Sequence, residues 1–122
     1  MVSILITSYN QSKYLPQAVE SALNQDYEHL EVIVCDDASE SGWDQGLQIF
    51  EADPRFRIHR NPHNLGRVKN YRQGLYELAK RDWVLVLDGD DFLLDHAYVS
   101  KAMEIAASDP DIDLVFSNSV RL

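Results

Sequence analysis

The sequence has a single cysteine, Cys35, among 122 residues. With no second thiol, no internal disulfide can form, which fits a reducing compartment. Long apolar runs are also missing. The opening MVSILITSYN has no basic n-region, and its hydrophobic stretch is far too short for a membrane span. The expectation is a soluble, cytoplasmic chain with no transmembrane segment. Glycine and proline are sparse, five and four, so disorder and fibrous repeats are excluded. Positive charge is scarce as well: 11 Lys and Arg stand against 20 Asp and Glu, for a formal net charge of −9. Such a balance disfavours unassisted binding to nucleic-acid phosphates or to an anionic membrane face. A phosphate ligand stays open, because a divalent cation can bridge carboxylates to phosphates. What is there is ordinary globular usage, 45% hydrophobic and 25% charged, at the length of one domain spanning 1–122.

Short apolar runs recur along the chain. Val2–Ile6, Glu31–Cys35, Trp83–Leu87 and Ile112–Phe116 read as strands, with a weaker one near Arg57-Ile58-His59. Two of them are almost continuously apolar, as in a parallel sheet covered on both faces. Between them lie helical periods. Leu15, Ala18, Val19, Ala22 and Leu23 form one stripe, with Pro16 allowed in the first turn. Trp43, Leu47 and Phe50 predict a shorter helix. Val68, Tyr71, Leu75, Leu78 and Ala79 predict a third, and Val99, Ala102, Met103 and Ala106 a fourth. Strand and helix alternate from end to end, which predicts a doubly wound α/β domain with a mainly parallel sheet and helices on both faces.

In such a sheet, ligands bind beyond the carboxyl ends of the strands. The first strand runs into Thr7-Ser8-Tyr9-Asn10, the second into Asp36-Asp37-Ala38-Ser39, and the strand at Trp83–Leu87 into Asp88-Gly89-Asp90-Asp91. Five acids at two strand ends repel one another unless a cation or ligand donors intervene. Asp88 and Asp90 flank a glycine that permits close backbone approach, so both can address one Mg²⁺ or Mn²⁺ together with substrate phosphates. The plainer reading is a solvated acidic turn in which Asp91 or Asp95 favours the next helix start. Asp36 or Asp37 can accept from a ribose hydroxyl or base N–H, or serve an Asx-turn with Ser39. Tyr9 suits stacking on a planar base or simple packing. Arg67, after the turn-rich Asn61–Gly66, can meet a phosphate or be solvated. The four histidines lack metal-ligand spacing, and Cys35 reads as a core residue.

Taken together, Val2–Asn10, Tyr14-Leu15, Ser21, Leu23, Gln25, Glu31–Asp37, Ser39, Asn64-Leu65-Gly66 and Leu87–Asp91 resemble the nucleotide-binding half of the family 2 glycosyltransferases, of GT-A fold. Ile6–Asn10 is particularly similar to the bacterial spore-coat member. The resemblance implies an inverting transfer of a sugar from a nucleotide diphosphate donor, usually UDP-linked, with Mg²⁺ or Mn²⁺ as cofactor. It places Thr7 and Tyr9 at the uridine, with Tyr9 against the base, and Asp37 on the uracil N–H. Asp88 falls near the ribose or metal-bound water, and Asp90 on the metal. Two departures stand out: many members have Pro in place of Thr7, and many carry a further Asp where this chain has Ser39-Glu40-Ser41-Gly42. The family's catalytic base lies in the acceptor-binding half, expected beyond Leu122. The chain is therefore expected to be a truncated, donor-binding part, with any membrane association made through parts outside it, and no catalytic residue is assigned.

Other classes compete. A non-catalytic nucleotide-sugar-binding module fits the same residues. A phosphatase of the haloacid dehalogenase type also has a strand ending in Asp-x-Asp, but there the motif opens the domain, and Phe92 and Leu93 stand where a small hydroxyl residue belongs. A response-regulator receiver needs its acidic pair at the first strand's end. A dinucleotide-binding Rossmann domain needs Gly-x-Gly-x-x-Gly there; neither is present.

Overall fold

The computed structural model describes residues 1–121. Its four strands are β1 (Val2–Ser8), β2 (Leu30–Asp36), β3 (Phe56–Arg60) and β4 (Trp83–Asp88). They form one parallel sheet in the order β3-β2-β1-β4. After β1 the chain winds outward through β2 and β3, then returns to lay β4 on the other side of β1. The direction of winding reverses there, and this opens a crevice at the carboxyl ends.

β1 is buried along its whole length and β2 almost so, and their alternation divides the core in two. On one face Val2, Ile4, Ile6, Val32 and Val34 pack with helix α1 (Leu15–Leu23), whose Leu15, Ala18, Val19 and Ala22 are buried as their spacing predicts. Helix α3 (Tyr98–Ser108) adds Val99 to the same face. On the other face Leu5, Ile33 and Cys35 meet Leu78 and Val84. Leu78 ends a π-helical turn (Gly74–Leu78) that continues helix α2 (Arg67–Gln73). Helices thus cover both faces. Burial pushes the Cys35 thiol up to about 12, consistent with an inert core residue.

Three expectations need correction. The helix predicted from Trp43 to Phe50 is a series of turns ending in one 3₁₀ turn, Gln48–Phe50. Gly46, between Trp43 and Leu47, takes a positive φ of 86°, which breaks a right-handed helix between its apolar residues. The stripe predicted on α2 is rotated: Val68 and Leu75 are exposed, and Asn70 and Gly74 face inward instead. A Cβ on Gly74 would lie 2.5 Å from Leu5 Cδ2, so the missing side chain lets this helix sit close on β1. Finally, Ile112–Phe116 is not a strand. The segment runs beside β4 and α3 without joining the ladder, separated by a cavity of about 100 Å³ lined by Trp83, Leu85, Met103 and Leu114. Apolar alternation alone makes no strand where no neighbour supplies backbone partners. No helix among the described residues is long and apolar enough to cross a membrane.

Candidate functional site

The carboxyl ends of β1, β2 and β4 and the start of α2 enclose an open cleft of about 460 Å³. Thr7, Tyr9, Asp37, Asp88 and Asp90 all line it, joined by Gln11, Asn64, Arg67, Asn70 and Tyr71. Residues far apart in sequence converge because the parallel register sets Thr7 beside Asp88 and Ser8 beside Asp36.

The two adjacent acids at the end of β2 have separate surroundings. Asp36 is fully buried; it accepts from the Ser39 N–H at 3.0 Å and the Ser39 hydroxyl at 2.5 Å, closing an Asx-type turn, and Arg60 lies 3.4 Å away. Asp37 turns toward the cleft, yet its carboxylate is already engaged. Oδ1 accepts from Asn61 Nδ2 at 2.9 Å and from the Leu65 N–H at 2.8 Å; Oδ2 accepts from the Gly66 N–H at 2.9 Å. Asp37 therefore ties the Asn64-Leu65-Gly66 loop to β2 and retains one acceptor direction on Oδ2. Behind it, Asn61 Nδ2 also donates to Asn70 Oδ1, and Asn70 Nδ2 donates to the Cys35 carbonyl. These buried amides satisfy one another, which explains the polar Asn70 on the inward side of α2.

Tyr9 is not packed away: it is 52% exposed at the cleft. The next residue, Asn10, crosses to the β2 loop, donating its N–H to Ser39 Oγ and accepting the Glu40 N–H. At β4, Asp88 Oδ1 accepts from the Tyr71 hydroxyl and, at 3.3 Å, from the Thr7 hydroxyl; Oδ2 lies 3.2 Å from Arg67 Nη2. Gly89 is needed at the bend. Its N–H donates to the Thr7 carbonyl, and a Cβ would fall 2.7 Å from Gln11 Oε1 and 3.0 Å from that carbonyl oxygen.

Asp88, Asp90 and Asp91 each present a carboxylate oxygen, all within 4.8 Å of one another. Three hard oxygen donors, two of them lining the cleft, suit Mg²⁺ or Mn²⁺. Burial and the neighbouring Asp90 and Asp88 charges hold the Asp91 carboxyl above its usual range, a repulsion that a cation would relieve. The turn carrying them is anchored by α1 and the residues just after it: Ser21 Oγ accepts the Leu93 N–H, and Gln25 bridges the Asp95 carbonyl and the Val99 N–H. Asp95 itself accepts the Ala97 N–H and pairs with Lys101, the structural duty open to it from sequence.

Sequence reasoning missed Tyr71, taken there as a core residue, and gave Asn61 and Asn70 no role. The available signal for Tyr71 was its i+4 spacing from Arg67, which sets both on one side of a helix.

The sheet order and the acidic strand ends define an α/β domain with its ligand cleft at the topological switch point. Residues 3–120 match the model for glycosyl transferase family 2, and the chain belongs to that family. Membership sets aside the phosphatase reading of Asp88 and Asp90. The chain is 35% identical over 97 residues to an uncharacterised glycosyltransferase of Haemophilus influenzae, covering 76% of this chain and 37% of the relative. It is 41% identical over 95 residues to an Escherichia coli chondroitin synthase, covering 76% and 13%. Among solved structures it resembles S. aureus TarS 1-349 in complex with UDP-GlcNAc, with TM-score 0.78, 24% identity, and coverage of 88% of this chain and 31% of that one. It also resembles the mannosyltransferase PcManGT from Pyrobaculum calidifontis in complex with GDP-Man and Mn²⁺, with TM-score 0.76, 21% identity, and coverage of 91% and 33%. The fold is GT-A, and the chain spans well under half the length of each of these proteins.

Proposed function

We propose that this chain forms the donor side of an inverting glycosyltransferase, binding a UDP-linked sugar in the cleft at the ends of β1, β2 and β4. The observation that carries the reading is the convergence of Thr7, Tyr9, Asp37, Asp88 and Asp90 on one cleft. The sugar nucleotides named in the TarS and PcManGT complexes support it. Tyr9 offers an exposed ring for the base. Asp37, held rigid by its three donors, directs its remaining Oδ2 acceptor at the uracil N3–H. Thr7 and Asp88 face the ribose, with Asp88 held in place by Tyr71. Asp90, with Asp88 and Asp91, would hold Mg²⁺ or Mn²⁺. When bound, that ion supplies positive charge against the negative charge that develops on the departing diphosphate, which favours the transition state over the ground state. The base that deprotonates the acceptor hydroxyl is assigned to the part of the relatives that this chain does not span. Residues 1–122 therefore bind donor, and acceptor choice lies elsewhere.

The base contact is open to direct test. Uracil carries a hydrogen on N3 and neutral cytosine does not, so a carboxylate acceptor discriminates between them. Titration in Mn²⁺ should show UDP binding about tenfold or more tighter than CDP. Equal affinities would contradict the Asp37 contact.

A further inference from the structure

Arg67 is the only cation among the described residues lining the cleft, where it stands with three carboxylates, Asp37, Asp88 and Asp90. A diphosphate entering such a site meets strong repulsion unless positive charge faces it. Arg67 opens α2, and the loop before it is fixed because Asp37 accepts the Leu65 and Gly66 N–H groups. Its guanidinium lies 5.8 Å from the Tyr71 ring centre and pairs with Asp88 Oδ2 at 3.2 Å, while the side chain remains 77% exposed. An ion pair that open to water is weak and readily exchanged. Asp88 does not depend on it, since the Tyr71 and Thr7 hydroxyls hold the other carboxylate oxygen.

Resting on the donor-site reading above, we propose that Arg67 is a diphosphate-binding residue: on donor binding it exchanges Asp88 for oxygens of the diphosphate. Its planar fork of N–H donors matches two phosphate oxygens at once. Tyr71 is the positioning residue that keeps Asp88 in place when Arg67 leaves. The exchange redistributes charge within the cleft without breaking a covalent bond.

The test is titration of UDP and of uridine into the wild-type chain, Arg67→Gln and Arg67→Lys, at fixed Mn²⁺ and low salt, followed by ligand-observed NMR. UDP affinity should fall about 10- to 100-fold in Arg67→Gln. Uridine affinity should stay at the wild-type value, and Arg67→Lys should recover part of the loss. Were Arg67 only a shield for Asp88, Arg67→Gln would alter Mn²⁺ affinity or thermal stability and leave the UDP-to-uridine ratio unchanged. That outcome, with wild-type UDP binding intact, overturns the Arg67 assignment alone. A folded wild-type chain that binds neither UDP nor uridine overturns the donor-site reading and this inference with it.

Discussion

Asp37 combines two functions in one carboxylate: it tethers the loop leading into α2 and faces the proposed base pocket. Replacing it with Ala leaves the Asn61 amide and the Leu65 and Gly66 N–H groups without their acceptor. Thermal or denaturant unfolding should report a loss of about 2–4 kcal/mol; an unchanged midpoint would contradict the tether. The same variant should lose uridine-nucleotide affinity more than affinity for Mn²⁺ alone, and an equal loss would argue against a base contact. The Asp36-Asp37 pair was legible in the sequence as both an Asx-turn and a ligand group; the structure gives the turn to Asp36 and sets Asp37 at the cleft. Which Asp took which part was not legible. It depends on the pleat of β2, on the tight turn at Ala38 (φ 60°), and on the amides Asn61 and Asn70, which arrive from distant segments.

At the scale of elements, α1 and the four paired strands were readable because their apolar periods coincide with what they bury. Elsewhere local pattern was overridden. The Trp43–Phe50 spacing was interrupted by one glycine with positive φ, Gly46; the Val68–Ala79 stripe missed that glycine, not a large side chain, sets the approach to β1. Gly74→Ala drives a Cβ into the fully buried Leu5, and overpacking of this kind should cost about 1–3 kcal/mol, seen as a lower unfolding midpoint. A gain in stability would show that helix entropy outweighs the clash. Between the strands, Glu31 on β2 accepts from the Ser3 hydroxyl at 2.6 Å, with Arg57 and Arg81 at 3.6 and 3.8 Å. Burial pushes its carboxyl up, but the Ser3 hydroxyl, the Lys80 N–H and the two guanidiniums outweigh it and hold it below the ordinary glutamate range. A depressed folded-state value contributes stability that is present above the unfolded value and lost as pH falls through the folded one. Glu31→Gln should therefore flatten the fall in stability as pH drops below the ordinary glutamate range; superimposable acid profiles for variant and wild type would refute the role.

For the whole molecule, the winding order makes the cleft. A deficit of positive charge pointed away from nucleic acid, and alternating strands and helices pointed to a sheet with its ligands at one edge. Neither could say that β4 lies against β1, and that adjacency brings Asp88 next to Thr7. Tyr71 and Arg67 join the site because the crossover from β3 to β4 carries α2 over the cleft. The donor sugar and the acceptor have no residues assigned to them in this chain, which spans 37% and 13% of the Haemophilus influenzae and Escherichia coli relatives. The central claim is a metal-assisted nucleotide-sugar site, and calorimetric titration of UDP with and without Mn²⁺, on the wild type and Asp90→Ala, tests it most directly. The account predicts binding that requires both the ion and Asp90, with the Asp90→Ala fold intact. UDP affinity in Mn²⁺ unchanged by Asp90→Ala, or no binding by the folded wild-type chain, would contradict it.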